Sequence, residues 1–421
     1  MKLDHQPASV TSATEKIEPL RPAGRWRALV ILVTASFMAM TPWFSASAVL
    51  PQLRAAWGVS AAAGAWLTIS VQLGFVAGAV ISAALNLADI LAPRRLMLFG
   101  GVIAAAVNLA LLWSHGLASA IPLRFATGAA LALVYPPGLK AMATWFRAER
   151  GTALGIMVGG LTLGSATPHL LNGIGGVHWT NVIVATSILT LAGGLLAEYG
   201  GHDGPFPFPK AIFDPRQSVR AFSNRGVRLA MLGYFGHMWE LYAMWTWCAA
   251  FFIDALRARG SPDAIRLGAF AAFATIGIGA LGCSIGGIAG DHIGRTRTAI
   301  VSLLVSGACS LVIGLAAQQS FALAMGIAII WGFSAVADSA QFSAMVTETS
   351  DQSYVGTALT LQLALGFTLT VATIWLVPVL RQSRGWTIAF ASLAPGPAFG
   401  IWAMFKLLRS PDAAKLAHGR G

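Results

Sequence analysis

Ser82-Ala-Ala-Leu-Asn-Leu-Ala-Asp89-Ile-Leu-Ala-Pro-Arg94-Arg95 and Gly286-Gly-Ile-Ala-Gly-Asp291-His-Ile-Gly-Arg295-Thr-Arg297 are two copies of one pattern, one in each half of the chain. In each, a run of small and apolar residues ends in an acid, a short turn and clustered arginines. Charges are rare in the apolar parts of the chain. A charged hinge that recurs between two apolar segments therefore points to a duplicated membrane machine.

Composition leads the same way. Of 421 residues 56% are hydrophobic and 10% charged, where a soluble protein carries about 25% charged residues. Apolar stretches of roughly 18 to 25 residues recur along the chain, each long enough at 1.5 Å per residue to cross a ~30 Å hydrocarbon layer. Twelve are expected, near 28–50, 61–85, 96–114, 118–139, 151–172, 181–198, 227–253, 267–290, 298–317, 321–345, 355–380 and 386–405. The first follows a polar tail of some 26 residues and lacks a small-residue cleavage site, so it reads as a span rather than a signal peptide.

A net charge of +12 would suggest a nucleic-acid partner in a soluble protein. Here the placement of the charges decides otherwise. With the N-terminus inside, only Arg54, Arg257, Arg259, Arg266, Arg381 and Arg384 fall outside and Arg124 falls within a span; every other basic residue is cytoplasmic. The reading is an integral, multi-pass protein of the cell (inner) membrane with both termini cytoplasmic and no nucleic-acid partner. Cys248, Cys283 and Cys309 lie in apolar spans without metal-ligand spacing and read as small packing residues.

The longest polar interruption, around Gly200 to Asn224, holds Pro205, Pro207, Pro209 and Pro215 and divides the spans six and six. The expected organisation is a cytoplasmic tail at 1–27, a first bundle at 28–199, a linker at 200–225, a second bundle at 226–408 and a tail at 409–421. Arg150-Gly-Thr-Ala-Leu-Gly155 and Val355-Gly-Thr-Ala-Leu-Thr360 open the fifth and eleventh spans 205 residues apart, against 202 for Asp89 and Asp291. Nearly equal offsets mark an internal repeat. The fold class is thus an all-α membrane protein, twelve transmembrane helices in two pseudo-symmetric six-helix bundles. Glycines at spacings of four in spans 2, 5 and 8 predict close helix contacts there, expected to join the bundles. Gly277-Ile-Gly279-Ala-Leu-Gly282 has the dinucleotide fingerprint spacing, which carries no meaning inside one membrane helix.

A charged side chain at the bilayer centre costs about 2.5 to 3.5 kcal/mol on insertion scales. Three stand out: Arg124 in span 4, Glu240 in span 7 and Asp338 in span 10. Glu240 stands some 13 residues into its span, about 20 Å deep, too far for snorkelling. Helices 4, 7 and 10 around one aqueous cavity would explain all three. Arg124 would then attract a solute, and Glu240 and Asp338 would carry protons. Trp43, Tyr135, His237, Trp245, Gln341 and Gln362 are the further solute-binding candidates around them. A membrane enzyme would need a nucleophile, metal cluster or phosphate loop. None is found, so no catalytic residue, cofactor or metal ligand is expected.

These residues resemble the major facilitator superfamily over nearly the whole chain. The charged turn is similar to its Gly-x-x-x-Asp-x-x-Gly-Arg-Arg loop, kept better in the second copy; in the first, Ala92 stands for the turn glycine and Pro93 for the first arginine. Arg124-Phe-Ala-Thr-Gly128 is similar to the family's span 4 motif. The resemblance implies two bundles of paired inverted repeats with a site between them near mid-membrane, lined by spans 1, 4, 7 and 10. It also implies that Asp89, Arg94, Asp291 and Arg295 form the cytoplasmic contacts that hold one conformation shut. The segments around Glu240 and Asp338 resemble a poorly characterised bacterial branch loosely grouped with cyanate-type permeases. Nitrate-porter motifs are absent, and Gly164-Ser-Ala-Thr-Pro168 departs from the span 5 motif of drug antiporters.

The expectation is a proton-coupled secondary transporter for a small polar or anionic solute, acting as a monomer in the lipid bilayer. The alternative is multidrug or organic-cation efflux by proton antiport.

Overall fold

The computed structural model describes residues 21–147, 149–175, 178–206, 214–351 and 353–421, without the side chains of Asp89, Pro215 and His418. Most of the N-terminal tail and the middle of the linker, with Pro207 and Pro209, lie outside these residues. Among the described residues every regular element is a helix.

Among the described residues nine helical segments are long and apolar enough to cross a membrane: Ala61–Ala84, Pro93–Trp113, Leu117–Ala143, Arg150–Ile174, Trp179–Gly200, Ala264–Ile293, Arg295–Gln319, Phe321–Thr349 and Val355–Leu408. The last bends at Gly385, whose φ of 76° is left-handed backbone that suits glycine, and its two limbs lie where spans 11 and 12 are expected. The first and seventh expected spans coincide with helices outside that set. Span 1 is broken into Arg25–Ala39, Ser45–Ala48 and Leu50–Trp57. The break falls at Pro42, which has no N–H to donate and cannot continue a helix. Span 7 is a single helix, Arg225–Arg257, with tryptophan, tyrosine, histidine and glutamate at its middle in place of aliphatic residues.

Other breaks place side chains. Pro136 and Pro137 end one helix of span 4 and start Tyr135–Ala143, which sets Tyr135 at a helix start. In span 10 Asp338 sits at the join between Phe321–Ala337 and Ser339–Thr349. Span 8 is interrupted only at Ile278, which keeps helical dihedrals.

The two charged turns are not copies in backbone. Gly294 has φ 103° in the second, whereas Ala92 has φ −57° in the first. The first turn therefore tolerates a side chain where the second favours glycine.

Packing corrects the expected role of the glycine stripes. Gly74 and Gly78 of span 2 lie against the backbone of Phe125 and Ala129 in span 4. Gly282 and Gly286 of span 8 lie in the same way against Phe333 and Ala337 in span 10. These stripes tie helices together within each half. Spans 5 and 8 do join the halves through small residues, as expected: a Cβ on Gly155 would meet Gly287 Cα at 3.2 Å, and one on Gly159 would meet the Ala280 carbonyl oxygen at 2.8 Å. Spans 2 and 11 meet across the halves through large rings, with Phe75 and Phe367 at 4.9 Å. Exposed apolar side chains such as Ile188, Leu281, Val301 and Leu304 cover the outside, where lipid would meet them.

Candidate functional site

A cavity of about 410 Å³ lies between the halves, walled by spans 2, 4 and 5 on one side and 7, 10 and 11 on the other. That volume falls in the range of small-molecule sites. One end is closed by aromatic rings from both halves: Trp43 lies 5.9 Å from Tyr242 and 5.6 Å from Phe367, and Phe44 meets Trp245 edge-on at 5.7 Å. The other end reaches the helix ends nearest the charged turns, where Lys140, Arg150, Arg295 and Glu348 line it. Of the candidate solute-binding residues, Tyr135, Trp245 and Gln362 line the cavity. Trp43 belongs to the plug.

The three mid-membrane charges do not share this cavity, and none of them lines it. Each has its own buried surroundings, because the partners available on the neighbouring helices differ.

Arg124 is fully buried and is held inside the first half by neutral acceptors. Its Nη2 donates to the Trp43 carbonyl at 2.6 Å, its Nη1 to Ser45 Oγ and Asn108 Oδ1 at 3.1 Å each, and its Nε to the Leu67 carbonyl at 3.4 Å. The break at Pro42 leaves the Trp43 carbonyl free of a helical partner, and the guanidinium takes it. Asn108 extends the knot to span 6 by donating to Ser187 Oγ at 2.9 Å and Thr186 Oγ1 at 3.1 Å. Spans 1, 2, 3, 4 and 6 are thus tied through two side chains, Arg124 and Asn108.

Glu240 lies in the second half, behind the helix face that carries Tyr242 and Trp245. It accepts from Ser306 Oγ and from Trp331 Nε1, both at 2.7 Å. Asp338 is placed differently: its Oδ1 lies 2.9 Å from His237 Nδ1, an ion-pair distance without an aligned hydrogen bond. The other ring nitrogen of His237 is 2.9 Å from Ser339 Oγ, and Ser339 lines the cavity. One hydroxyl separates the buried pair from the void. Gln341 is a brace rather than a wall residue, accepting from Arg295 at 3.1 Å and donating to the Gly286 carbonyl at 3.0 Å.

Of the three expected gating residues whose side chains are described, one makes a hydrogen bond to the opposite half. Asp291 accepts from the backbone N–H of Thr152 at 3.2 Å, at the start of span 5, where a helix N-terminus favours an anion. Arg295 pairs within its own half, with Glu348 at 2.7 Å and Asp291 at 3.4 Å. Arg94 pairs with Asp203 of the linker at 3.9 Å, and the side chain of Asp89 lies outside the described residues. The C-terminal segment rests on the same corner, with the Ala417 N–H donating to Glu348 at 3.0 Å and Arg420 to the Asp291 carbonyl at 2.6 Å.

Sequence reasoning missed Asn108, Ser339 and Glu348. Asn108 is a polar residue deep in an otherwise apolar span, and Ser339 directly follows Asp338. Both signals were present, but nothing in the spacing said which way the side chains face.

Residues 32–362 match the family model described as Major Facilitator Superfamily. The match is at superfamily level and does not reach the cyanate-type grouping. No curated protein matches the chain.

Proposed function

The chain belongs to the Major Facilitator Superfamily and is an integral multi-pass membrane transporter, and on that premise we propose that it is a proton-coupled secondary carrier of a small polar or anionic solute. The observation that carries the reading is the cavity between the halves, plugged by rings at one end and flanked by cations at the other. In this proposal residues 28–199 and 226–408 rock about the solute, acting as a monomer in the inner membrane with both termini in the cytoplasm. Opening the plug and closing the charged end exchanges one access for the other. Asp291 contributes to closure of the charged end by capping span 5.

Asp338 is the proton carrier that the geometry favours. His237 holds it at ion-pair distance, and Ser339 offers a route from the cavity to His237. Other groups facing the pair are Glu240 and Cys283, which Asp338 influences through space, and the Tyr234 ring, 6.0 Å from His237. Glu240 has both carboxylate oxygens engaged, so its part is more that of a brace. Export of an organic cation has less support, because Glu240 and Asp338 are not on the cavity wall.

The test is a screen of proteoliposomes loaded with a pH-sensitive dye against a metabolite panel. A carried solute dissipates an imposed proton gradient with the wild-type protein. With Asp338→Asn it exchanges across the membrane without moving protons. Proton movement unaffected by Asp338→Asn would remove Asp338 from the coupling.

A further inference from the structure

A second cavity, of about 890 Å³, opens at the end of the second half away from the charged turns, between the last turns of spans 7 and 9 and the corner that joins spans 11 and 12. Three of the six arginines that the charge pattern leaves outside, Arg259, Arg381 and Arg384, line it. Among the described residues Asp254 is the one acid on its wall. Cytoplasmic loops carry the excess of arginine in membrane proteins, so three arginines gathered at one outer corner call for a reason.

The acid is already engaged. Its Oδ2 accepts from Arg381 at 2.6 Å and from Trp386 Nε1 at 2.9 Å, and the Arg381 guanidinium lies 5.4 Å from the centre of the Trp386 ring. Arg259 donates to the Ala255 carbonyl at 2.8 Å and to the Ala317 carbonyl, and keeps other N–H donors. Arg384 has no hydrogen-bond or ion-pair partner among the described residues. The helix ends hold these groups near one another. Ala317, which accepts from Arg259, is followed by Gln318, whose Nε2 donates to Thr387 Oγ1 at 3.1 Å. Thr387 in turn follows Arg384 by three residues, across the bend at Gly385. Arg259 and Arg384 thus bring positive charge to one corner with no carboxylate left to answer it.

What borders the cavity is apolar. Leu311 and Leu315 of span 9 and Ile388 of the last limb are exposed within one turn of the wall residues Gly314 and Thr387. Trp386 lies at the start of that limb, the level at which tryptophan is enriched in membrane helices. Excess positive charge beside hydrocarbon-facing side chains suits a molecule with an anionic head and an apolar tail.

We infer that this corner binds the phosphate of an anionic phospholipid, with Arg384 and Arg259 meeting the headgroup and the acyl chains lying along the exposed leucines of span 9. Asp254 acts through Arg381 and Trp386, by fixing the corner in which the headgroup sits. Guanidinium forks match phosphate oxygens, and basic pockets between membrane helices hold anionic headgroups. The site is separate from the central cavity and does not rest on the carrier reading.

The test places a bimane fluorophore on Gln319→Cys, at the cavity wall, in the full-length protein with its three buried cysteines replaced. A label there reads binding at this corner, apart from lipid held by the basic residues of the other end. In neutral detergent the labelled protein is titrated with phosphatidylglycerol, with phosphatidylcholine of the same chains and with inorganic phosphate. Phosphatidylglycerol is expected to shift the emission saturably, and the other two to leave it unchanged. Arg384→Gln, which removes no contact within the protein, is expected to raise the half-saturating phosphatidylglycerol about fivefold, the weight of one basic residue at an anionic bilayer surface. Arg257→Gln makes the same change of charge at an exposed position off the cavity wall and is expected to leave the titration unmoved.

An equal shift with phosphatidylcholine would overturn the inference, leaving an apolar surface only, and an equal shift with inorganic phosphate would overturn it in favour of a free anion. A loss as large in Arg257→Gln as in Arg384→Gln would reduce the site to diffuse charge. No loss in Arg384→Gln, or no shift with any probe, would also overturn it.

Discussion

Arg124 in the first half and the His237–Asp338 pair in the second are both buried inside the membrane, each beside a helix break, at Pro42 and at Asp338, and they are held in opposite ways. The guanidinium has partners on three neighbouring helices, all neutral, each fixed by the backbone or by a further hydrogen bond. The carboxylate has one partner, an imidazole, and that partner touches a hydroxyl on the cavity wall. Burial is the same in both places. What differs is whether the surroundings can accept a second state. A charge held from several sides fixes the fold, and one held from a single side leaves room for the proton transfer proposed for Asp338.

The largest effect that would break this contrast is on stability. Arg124→Met leaves the Trp43 carbonyl buried without a donor, at about 1–3 kcal/mol for an orphaned group, and cuts the links to Ser45 and Asn108. Thermal unfolding in detergent should show a large loss, or no folded protein at all. If Arg124→Met unfolds at the wild-type temperature but loses solute binding, Arg124 belongs to the site and the contrast fails. Asp338→Asn should stay close to wild type in the same assay, since no aligned hydrogen bond is lost, while proton coupling disappears.

The smallest effect concerns Asp291, an acid of the second half that reaches the first. Asp291→Asn weakens the cap on span 5, worth about 0.5–2 kcal/mol. This is enough to move a two-state balance several-fold but not to unfold the protein. Reagent access to a cysteine placed at Leu154, on the cavity wall, should rise. Unchanged access would show that the contact with Thr152 does not hold that end shut.

How much of this was legible in the sequence follows from what spacing encodes. Length and apolarity located the spans, and the repeated turn with its acid and arginines gave the duplication. Azimuth was the missing quantity. Gly74 and Gly78 announced a close helix contact without saying whether the partner was span 4 or a helix of the other half. Arg124, Glu240 and Asp338 recur on every third helix, which suggested a common cavity, yet Glu240 lies behind the face that carries Tyr242 and Trp245. The knot around Arg124 depends on a carbonyl freed at Pro42, eighty-odd residues away. The proline was visible and the pairing was not.

The central claim is that the ring plug and the charged end open in alternation. It is tested most directly by spin-label distances in a background whose three buried cysteines are replaced. One label pair, Ala56→Cys with Gln382→Cys, spans the plugged side, and a second, Leu85→Cys with Ser353→Cys, spans the charged side. The account predicts two distances for each pair, with acidification shifting the two pairs in opposite senses and Asp338→Asn abolishing the shift. A single distance for each pair, unmoved by pH, would contradict it.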